Sequence, residues 1–154
     1  TALGLDIESN ITLASLKKFS RYGVMQDKKT EQNAKDFCKQ LNIRTPSIRQ
    51  LVRNLSGGNQ QKVILARWLT HKAKVLVFDE PTRGIDVGAK YEIYNIMNQL
   101  SDEGMGIIMI SSDLPEVLGM SDRVLVFRGG RITADLPRSE ANSETVMKYA
   151  TGSV

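Results

Sequence analysis

The chain has 154 residues, of which 41% are hydrophobic, and a formal net charge of +4 at pH 7. This length allows one domain with a buried core. No apolar run approaches the roughly 18 residues that cross a bilayer, which excludes a membrane-spanning helix among these residues. The single cysteine, Cys38, excludes an internal disulfide and suits a reducing compartment.

The positive charge lies mainly in the first part of the chain. Residues 1–55 carry ten Lys or Arg and five Asp or Glu, whereas residues 56–154 carry eleven and twelve. A basic segment of this kind can face nucleic acid or anionic lipid. The charges are scattered and lack the interleaved aromatic residues of a nucleic-acid-binding patch, which favours an ordinary solvated surface.

Residues 1–55 have mainly the periodicity of helices. The sequence predicts a first helix that begins at Asn10 or Thr12 and ends at Gly23. Thr30 is the predicted N-cap of a second helix. Its apolar residues recur at the spacing of one helical face: Ala34, Phe37, Cys38 and Leu41.

From Ser56 onward helices and strands alternate, which is typical of a parallel α/β sheet. We predict a buried helix over residues 60–70 and a strand over residues 75–78. Asp86 is the predicted N-cap of the next helix, and a second apolar strand is predicted over residues 107–110. Both strands are continuous apolar runs, as in parallel strands that are covered on both faces.

The remaining residues predict a helix, a hairpin and a final helix. Asp113 and Glu116 have the spacing of a capping box, with a proline in the first turn between them. Residues 124–127 and 132–134 read as the two strands of a hairpin around a Gly-Gly turn. Ser143 is the predicted cap of the last helix.

A small-residue turn precedes the predicted helix of residues 60–70. It reads Ser56-Gly57-Gly58-Asn59-Gln60. A turn of this kind at a helix start presents bare backbone N–H groups and the positive end of the helix, which together bind phosphate. The alternative is that the glycines only terminate the preceding segment.

Two acidic residues follow the predicted strand of residues 75–78. Asp79 suits the positioning of Mg²⁺, because this ion keeps most of its waters and takes few direct carboxylates. Glu80 suits the polarisation of an attacking water molecule. The alternative is that the two acids only cap the following loop. The Pro-Thr that follows them and the glycine turn about twenty residues earlier favour phosphate chemistry.

Residues 55–63, 79–90 and 111–123 together resemble the second nucleotide-binding domain of sugar-importing ABC ATPases of the ribose/galactose/xylose type. The resemblance extends over essentially the whole chain. It implies an α/β fold, the second half of an ABC-type P-loop ATPase domain with a mostly parallel sheet flanked by helices. Residues 1–60 would form a helical subdomain that ends in the signature motif. Residues 61–154 would form the rear half of the RecA-like core, with a C-terminal hairpin and helix.

The resemblance also implies the function of a subunit that binds and hydrolyses ATP with Mg²⁺ to energise sugar import. The catalytic residue would be Glu80, and Asp79 would hold the metal. The signature residues would contact an ATP held by the partner domain, towards which the loop of Asp86 crosses: Ser56, Gly57, Gly58, Asn59 and Gln60.

Two departures from the family pattern qualify these expectations. The phosphate-binding loop Gly-x-x-x-x-Gly-Lys-Ser/Thr is nowhere in the chain, so we expect the isolated chain to be inactive and marginally stable, with exposed apolar surface. Ser112 stands where most ABC ATPases have a histidine that contacts the γ-phosphate. Because serine carries no charge, we expect the site of Glu80 to hydrolyse ATP poorly.

The implied partners are the other nucleotide-binding domain of the same transporter and membrane permease subunits, at the cytoplasmic face of the inner membrane. Neither nucleic acid nor direct sugar binding is expected. One alternative is an ATPase of DNA repair or chromosome maintenance, which would give the basic residues 1–55 a role but predicts long heptad arms that the chain lacks. Another alternative is a non-catalytic interaction module.

Overall fold

The computed structural model describes residues 2–71 and 73–152. In this part of the chain seven α-helices alternate with six short strands. The helices are α1 Ile7–Thr12, α2 Leu16–Phe19, α3 Asp27–Gln40, α4 Gly57–Leu69, α5 Val87–Asp102, α6 Leu114–Met120 and α7 Ser143–Thr151. The strands are β1 Ser20–Arg21, β2 Val24–Met25, β3 Val75–Asp79, β4 Gly106–Ile110, β5 Arg123–Arg128 and β6 Arg131–Pro137. None of the described helices combines the length and the apolar character needed to cross a membrane.

The described strands form three pairs, β1–β2, β3–β4 and β5–β6. β1–β2 and β5–β6 are antiparallel hairpins. Two backbone hydrogen bonds fix the direction of the third pair, from Gly106 N–H to the Lys74 carbonyl and from Glu80 N–H to the Ile110 carbonyl, each 2.9 Å. Both partners advance along the chain together, so β3 and β4 run parallel. Parallel pairing therefore occurs at the predicted αβ repeat, and the flanking pairs are hairpins.

The chain divides into two compact units. The first comprises Thr1–Leu76 and Thr82–Ile108, and the second comprises Val77–Pro81 and Met109–Val154. The signature residues and Asp86 lie in the first unit. Asp79, Glu80 and Ser112 lie in the second.

The core of the first unit forms where α1 packs against α3 and α4. Its largest fully buried apolar side chains come from α1, from the turn before α4 and from α4 itself: Ile7, Ile11, Val52 and Val63. A polar contact accompanies this packing, because Arg67 Nε of α4 donates to the backbone carbonyl of Asn10 over 2.7 Å. This contact holds the C-terminal part of α4 against α1. The signature turn lies at the other end of α4, at its N-terminus.

The core of the second unit is smaller. The inward-facing residues of the β5–β6 hairpin meet α7 in one apolar cluster of Val124, Val126, Leu136 and Val146. The hairpin predicted from sequence is confirmed, and it contains a register shift between Val126 and Phe127.

Four predicted helix starts are wrong, among them that of α4, which begins at Gly57 rather than at residue 60. α1 is capped by Asp6, whose carboxylate accepts from Ser9 N–H over 2.7 Å, and Asn10 is buried inside the helix, as is Thr12 at its last residue. α7 is capped by Asn142 rather than Ser143. In both helices the carboxylate or amide oxygen that caps comes earlier than the residue chosen from the sequence.

The predicted cap Thr30 lies one turn inside α3, which begins at Asp27. Its hydroxyl donates to the buried carboxylate of Glu8 in α1 over 2.7 Å. A tertiary contact therefore uses the side chain that the sequence suggested as a cap. The apolar face of this helix is confirmed in part, with Ala34 buried and Cys38 half-buried, and burial raises the pKa of the Cys38 thiol.

Apart from the start of α4, the elements that carry the phosphate motifs occur where the sequence predicts them. α5 is capped by Asp86, whose carboxylate accepts from Ala89 N–H over 2.9 Å, and α6 is capped by Asp113. β3 and β4 are present, but alternate apolar side chains on them are between 52% and 61% exposed: Val75, Val77, Ile108 and Ile110. The expected exposed apolar surface is confirmed, and marginal stability of the chain stays a prediction.

Candidate functional site

The signature turn, residues 56–60, opens helix α4. Ser56 has extended backbone angles and is the N-cap of α4. Its Oγ accepts from the backbone N–H of Asn59 over 3.4 Å and from the Asn59 side-chain Nδ2 over 3.0 Å. Ser56 and Gly57 are exposed. The turn therefore presents a hydroxyl and a helix N-terminus to solvent, which is the anion-binding arrangement that the sequence predicts.

The other polar side chains of this turn are anchored to backbone groups. Asn59 Oδ1 accepts from the backbone N–H of Arg44 over 2.9 Å. Gln60 Nε2 donates to the carbonyl of Leu55 over 3.0 Å. These contacts help both side chains to shape the turn, and the exposed residues of the turn are Ser56 and Gly57.

The second glycine has a packing role that the sequence interpretation missed. Gly58 is buried, and a Cβ at this position would lie 2.7 Å from the Cβ of Ala89 in α5. A Cβ at Gly57 would lie 3.2 Å from Ile85 Cγ2. The glycines therefore allow α4 to approach the start of α5 closely. This contact places the signature turn beside the loop that contains Asp86.

An ion pair between a buried lysine and a partly exposed glutamate also joins α4 to α5, and sequence reasoning missed it too. Lys62 is only 2% exposed, and its Nζ lies 2.6 Å from Glu92 Oε2 and 3.0 Å from the carbonyl of Asn42. The hydrogen bond from Lys62 lowers the pKa of Glu92. The only sequence signal for this ion pair is the occurrence of a lysine inside an apolar helix.

The acidic residues after β3 differ in their surroundings. Asp79 is exposed, and no side chain among the described residues pairs with its carboxylate. Glu80 has a φ of +47°, in the left-handed region that non-glycine residues seldom adopt. Its Oε1 accepts from Ser112 N–H over 3.0 Å. The structure thus brings Glu80 and Ser112 together, with the serine acting through its backbone.

The turn after β4 is ordered by the residue before Ser112. Ser111 Oγ donates to the buried carboxylate of Glu116 over 2.5 Å and accepts from Asp113 N–H over 3.0 Å. Ser112 is exposed, and no partner of its hydroxyl lies in the described residues. The turn therefore holds the Ser112 amide towards Glu80 and leaves the hydroxyl available to a ligand.

Within the described ranges, no group of three or more His, Cys, Asp or Glu side chains could hold a metal ion. A single exposed carboxylate such as that of Asp79 still fits Mg²⁺, which is usually bound through one or two carboxylates with the phosphates of a substrate. Any Mg²⁺ here would therefore arrive with a phosphate ligand.

The first unit thus contains a glycine turn at a helix start and a close α4–α5 contact, and the second contains two acids at the end of β3. The ABC transporter family model matches residues 5–83. Because this match includes just over half of the chain, the chain belongs to the ABC transporter family.

Curated relatives narrow the comparison. The chain is 56% identical over 153 residues to a ribose import ATP-binding protein of Clostridium perfringens, and 53% identical over 148 residues to a xylose import ATP-binding protein of Thermoanaerobacter pseudethanolicus. These alignments include 97% and 96% of the chain but only 30% and 29% of the relatives. The chain therefore spans less than a third of the length of these proteins.

Solved structures show the same fold at low sequence identity. The chain matches an inward-facing putative metal-chelate type ABC transporter with a TM-score of 0.84 and 14% identity, over 99% of the chain and 60% of the transporter chain. It matches an ATP-binding cassette of an ABC transporter with a TM-score of 0.79 and 20% identity, over 96% and 63%. A dimeric ATP-binding cassette bound to ADP and Pi matches with a TM-score of 0.71 and 20% identity, over 87% and 57%. The α/β fold of an ABC ATPase domain is confirmed.

Proposed function

We propose that this chain is part of the ATP-binding and hydrolysing subunit of an ABC transporter that imports a sugar. The names of relatives that are more than half identical support this proposal, since both are import ATP-binding proteins, one for xylose and one for ribose. These names do not favour the alternatives of a DNA-repair ATPase or a non-catalytic module. The observation that carries the proposal is the exposed Ser56 hydroxyl at the N-terminus of α4, where the helix dipole favours an anion.

In this proposal the signature residues serve an ATP that is held by another nucleotide-binding domain. Ser56 and the exposed backbone of Gly57 would face the γ-phosphate of that ATP, and Asp86 would lie in the loop that crosses to the partner domain. The dimeric state of the cassette bound to ADP and Pi supports a two-domain arrangement. Residues 1–60 as a helical subdomain and residues 61–154 as the rear of the core complete the assignment.

A second and weaker site would belong to this chain's own acidic residues. Mg²⁺ held by Asp79 would neutralise negative charge on the phosphates of bound ATP. Glu80 would polarise the attacking water, with its carboxylate oriented by the Ser112 amide. The uncharged Ser112 side chain would leave the γ-phosphate without a cationic partner from this position, so we expect slow hydrolysis here.

The remaining assignments concern the setting of the subunit. The partners would be the other nucleotide-binding domain and the membrane permease subunits. The location would be the cytoplasmic face of the inner membrane as a peripheral protein. The sugar itself would bind other subunits.

Steady-state ATP hydrolysis and uptake of ribose, xylose and galactose by the full-length protein with its permease test this function. Ser56→Ala should lower hydrolysis about 10- to 100-fold, because a hydrogen bond to a charged phosphate is lost. Glu80→Gln should lower it by less than about threefold, since its site contributes little turnover. The glutamine keeps an oxygen that can accept from the Ser112 amide, so this variant should retain the fold.

The opposite ranking of the two variants would show that the weak site is assigned to the wrong residues. ATP hydrolysis without uptake of any of the three sugars would contradict sugar import. Duplex DNA binding that stimulates hydrolysis would favour the chromosome-maintenance alternative.

A further inference from the structure

The orientation of the Asn59 side-chain amide is fixed by its surroundings. Asn59 Oδ1 lies 2.9 Å from the backbone nitrogen of Arg44, which can only donate a hydrogen bond. The atom of the Asn59 amide on that side must therefore be the oxygen. The Nδ2 atom is left 3.0 Å from Ser56 Oγ, and an amide nitrogen can only donate.

This orientation determines what the Ser56 hydroxyl can do. A serine hydroxyl has one proton to donate and two lone pairs to accept with. Both lone pairs of Ser56 are used, by Asn59 Nδ2 and by the Asn59 backbone N–H. Its proton is consequently directed away from the turn, and no acceptor for it lies within the described part of the chain.

The backbone segment of Arg44, which donates to Asn59, is itself held in place. The Arg44 guanidinium lies 3.4 Å from Glu92 Oε1, and the neighbouring carbonyl of Asn42 accepts from buried Lys62 over 3.0 Å. The segment that carries the Arg44 N–H is therefore tied to both α4 and α5. Asn59 links this fixed segment to the Ser56 hydroxyl.

We propose that Asn59 is a positioning residue that makes Ser56 an obligatory hydrogen-bond donor towards the γ-phosphate of the partner domain's ATP. The proposal rests on the proposed function. Asn59 itself touches no substrate, and its contribution passes through the Ser56 hydroxyl.

A double-mutant cycle in the full-length protein with its permease separates this role from a structural one. Asn59→Ala should lower kcat for ATP hydrolysis about five- to tenfold and change KM by less than about twofold, because the γ-phosphate contact acts mainly on turnover. In the Ser56→Ala background the same substitution should lower kcat by less than about twofold. An equal loss in both backgrounds would overturn the proposal.

The isosteric variant Asn59→Asp tests the direction of the hydrogen bond. Its carboxylate still accepts from Arg44 N–H, but towards Ser56 it presents an acceptor that draws the hydroxyl proton inward. Asn59→Asp should therefore lower kcat at least as much as Asn59→Ala. In the Ser56→Ala background, the loss of kcat that Asn59→Asp still causes measures the effect of the added charge alone. A milder effect than that of Asn59→Ala would show that only the Arg44 contact matters.

Hydrogen exchange supplies a readout that is independent of activity. Exchange of the Arg44 amide should be faster in Asn59→Ala and unchanged in Asn59→Asp. Unchanged exchange in Asn59→Ala would refute the amide orientation. If Ser56→Ala alone leaves hydrolysis near the wild-type rate, the signature role in the proposed function fails first, and the positioning role fails with it.

Discussion

The close contact between Gly58 and Ala89 allows a quantitative test of how the signature helix is placed. In Gly58→Ala the new methyl group would lie 2.7 Å from the Ala89 methyl, whereas carbon atoms in contact prefer about 3.5–4.0 Å. The two helices would have to separate by about 1 Å. The Lys62–Glu92 ion pair joins them nearby, so we expect this movement to be resisted.

The expected change in the free energy of unfolding follows from two opposing effects. Forcing an extra methyl group into a packed contact costs about 1–3 kcal/mol. Replacing glycine by alanine in a helix returns up to about 1 kcal/mol. We therefore expect Gly58→Ala to lower the free energy of unfolding by about 1–2 kcal/mol, and the melting temperature by about 2–8 °C.

The assay is urea unfolding followed by circular dichroism, with Ala89→Gly as the partner substitution. In the Ala89→Gly background the clash is removed, so Gly58→Ala should be neutral or stabilising by up to about 0.5 kcal/mol. Gly57→Ala is the matched control, since its Cβ would meet a side-chain methyl of Ile85 at 3.2 Å and the Gly84 carbonyl oxygen only at 3.9 Å. An equal loss from Gly58→Ala in both backgrounds would refute the packing argument.

The further predictions concern the Lys62–Glu92 ion pair and the exposed strands. Glu92→Ala leaves the buried Lys62 without its carboxylate partner and should destabilise the chain by about 2 kcal/mol. Lys62→Met should cost less than about 1 kcal/mol, because the Glu92 side chain is 39% exposed and can hydrate. Urea unfolding measures both changes. The pKa of Glu92 is lowered below its usual 4.5, so its stabilisation is present above that value and is lost as the pH falls. The stability difference between wild type and Glu92→Gln should accordingly narrow as the pH falls below 4.5, and an unchanged difference would contradict the pairing. The exposed apolar side chains of β3 and β4 should make the isolated chain bind a hydrophobic dye: Val75, Val77, Ile108 and Ile110. A charged substitution at one of these positions should reduce the dye fluorescence. A chain that binds no dye would contradict the exposure of these two strands.

Local sequence determined the elements that carry the phosphate motifs. α5 begins after Asp86 as predicted, because its capping oxygen and its apolar spacing agree. The sequence also placed a helix start at the signature turn, but α4 begins at Gly57, three residues before the predicted start. The same local rules failed for the helices predicted to begin at Thr30 and Ser143. At α3 a tertiary contact with Glu8 uses the Thr30 hydroxyl. At α7 the neighbouring Asn142 is the cap, and its side chain accepts from Thr145 N–H.

The geometry of the candidate site depends on contacts between distant residues. Asn59 and Arg44 are 15 residues apart, Lys62 and Glu92 are 30 apart, and Ser112 and Glu80 are 32 apart. The sequence identified the signature turn and the acidic pair as phosphate-binding chemistry. It could not predict that Ser112 orients Glu80 through a backbone amide, because that contact exists only once β3 and β4 have paired. The residue types and their local order thus determined the family and the motif positions, and long-range packing decided which atoms face a ligand.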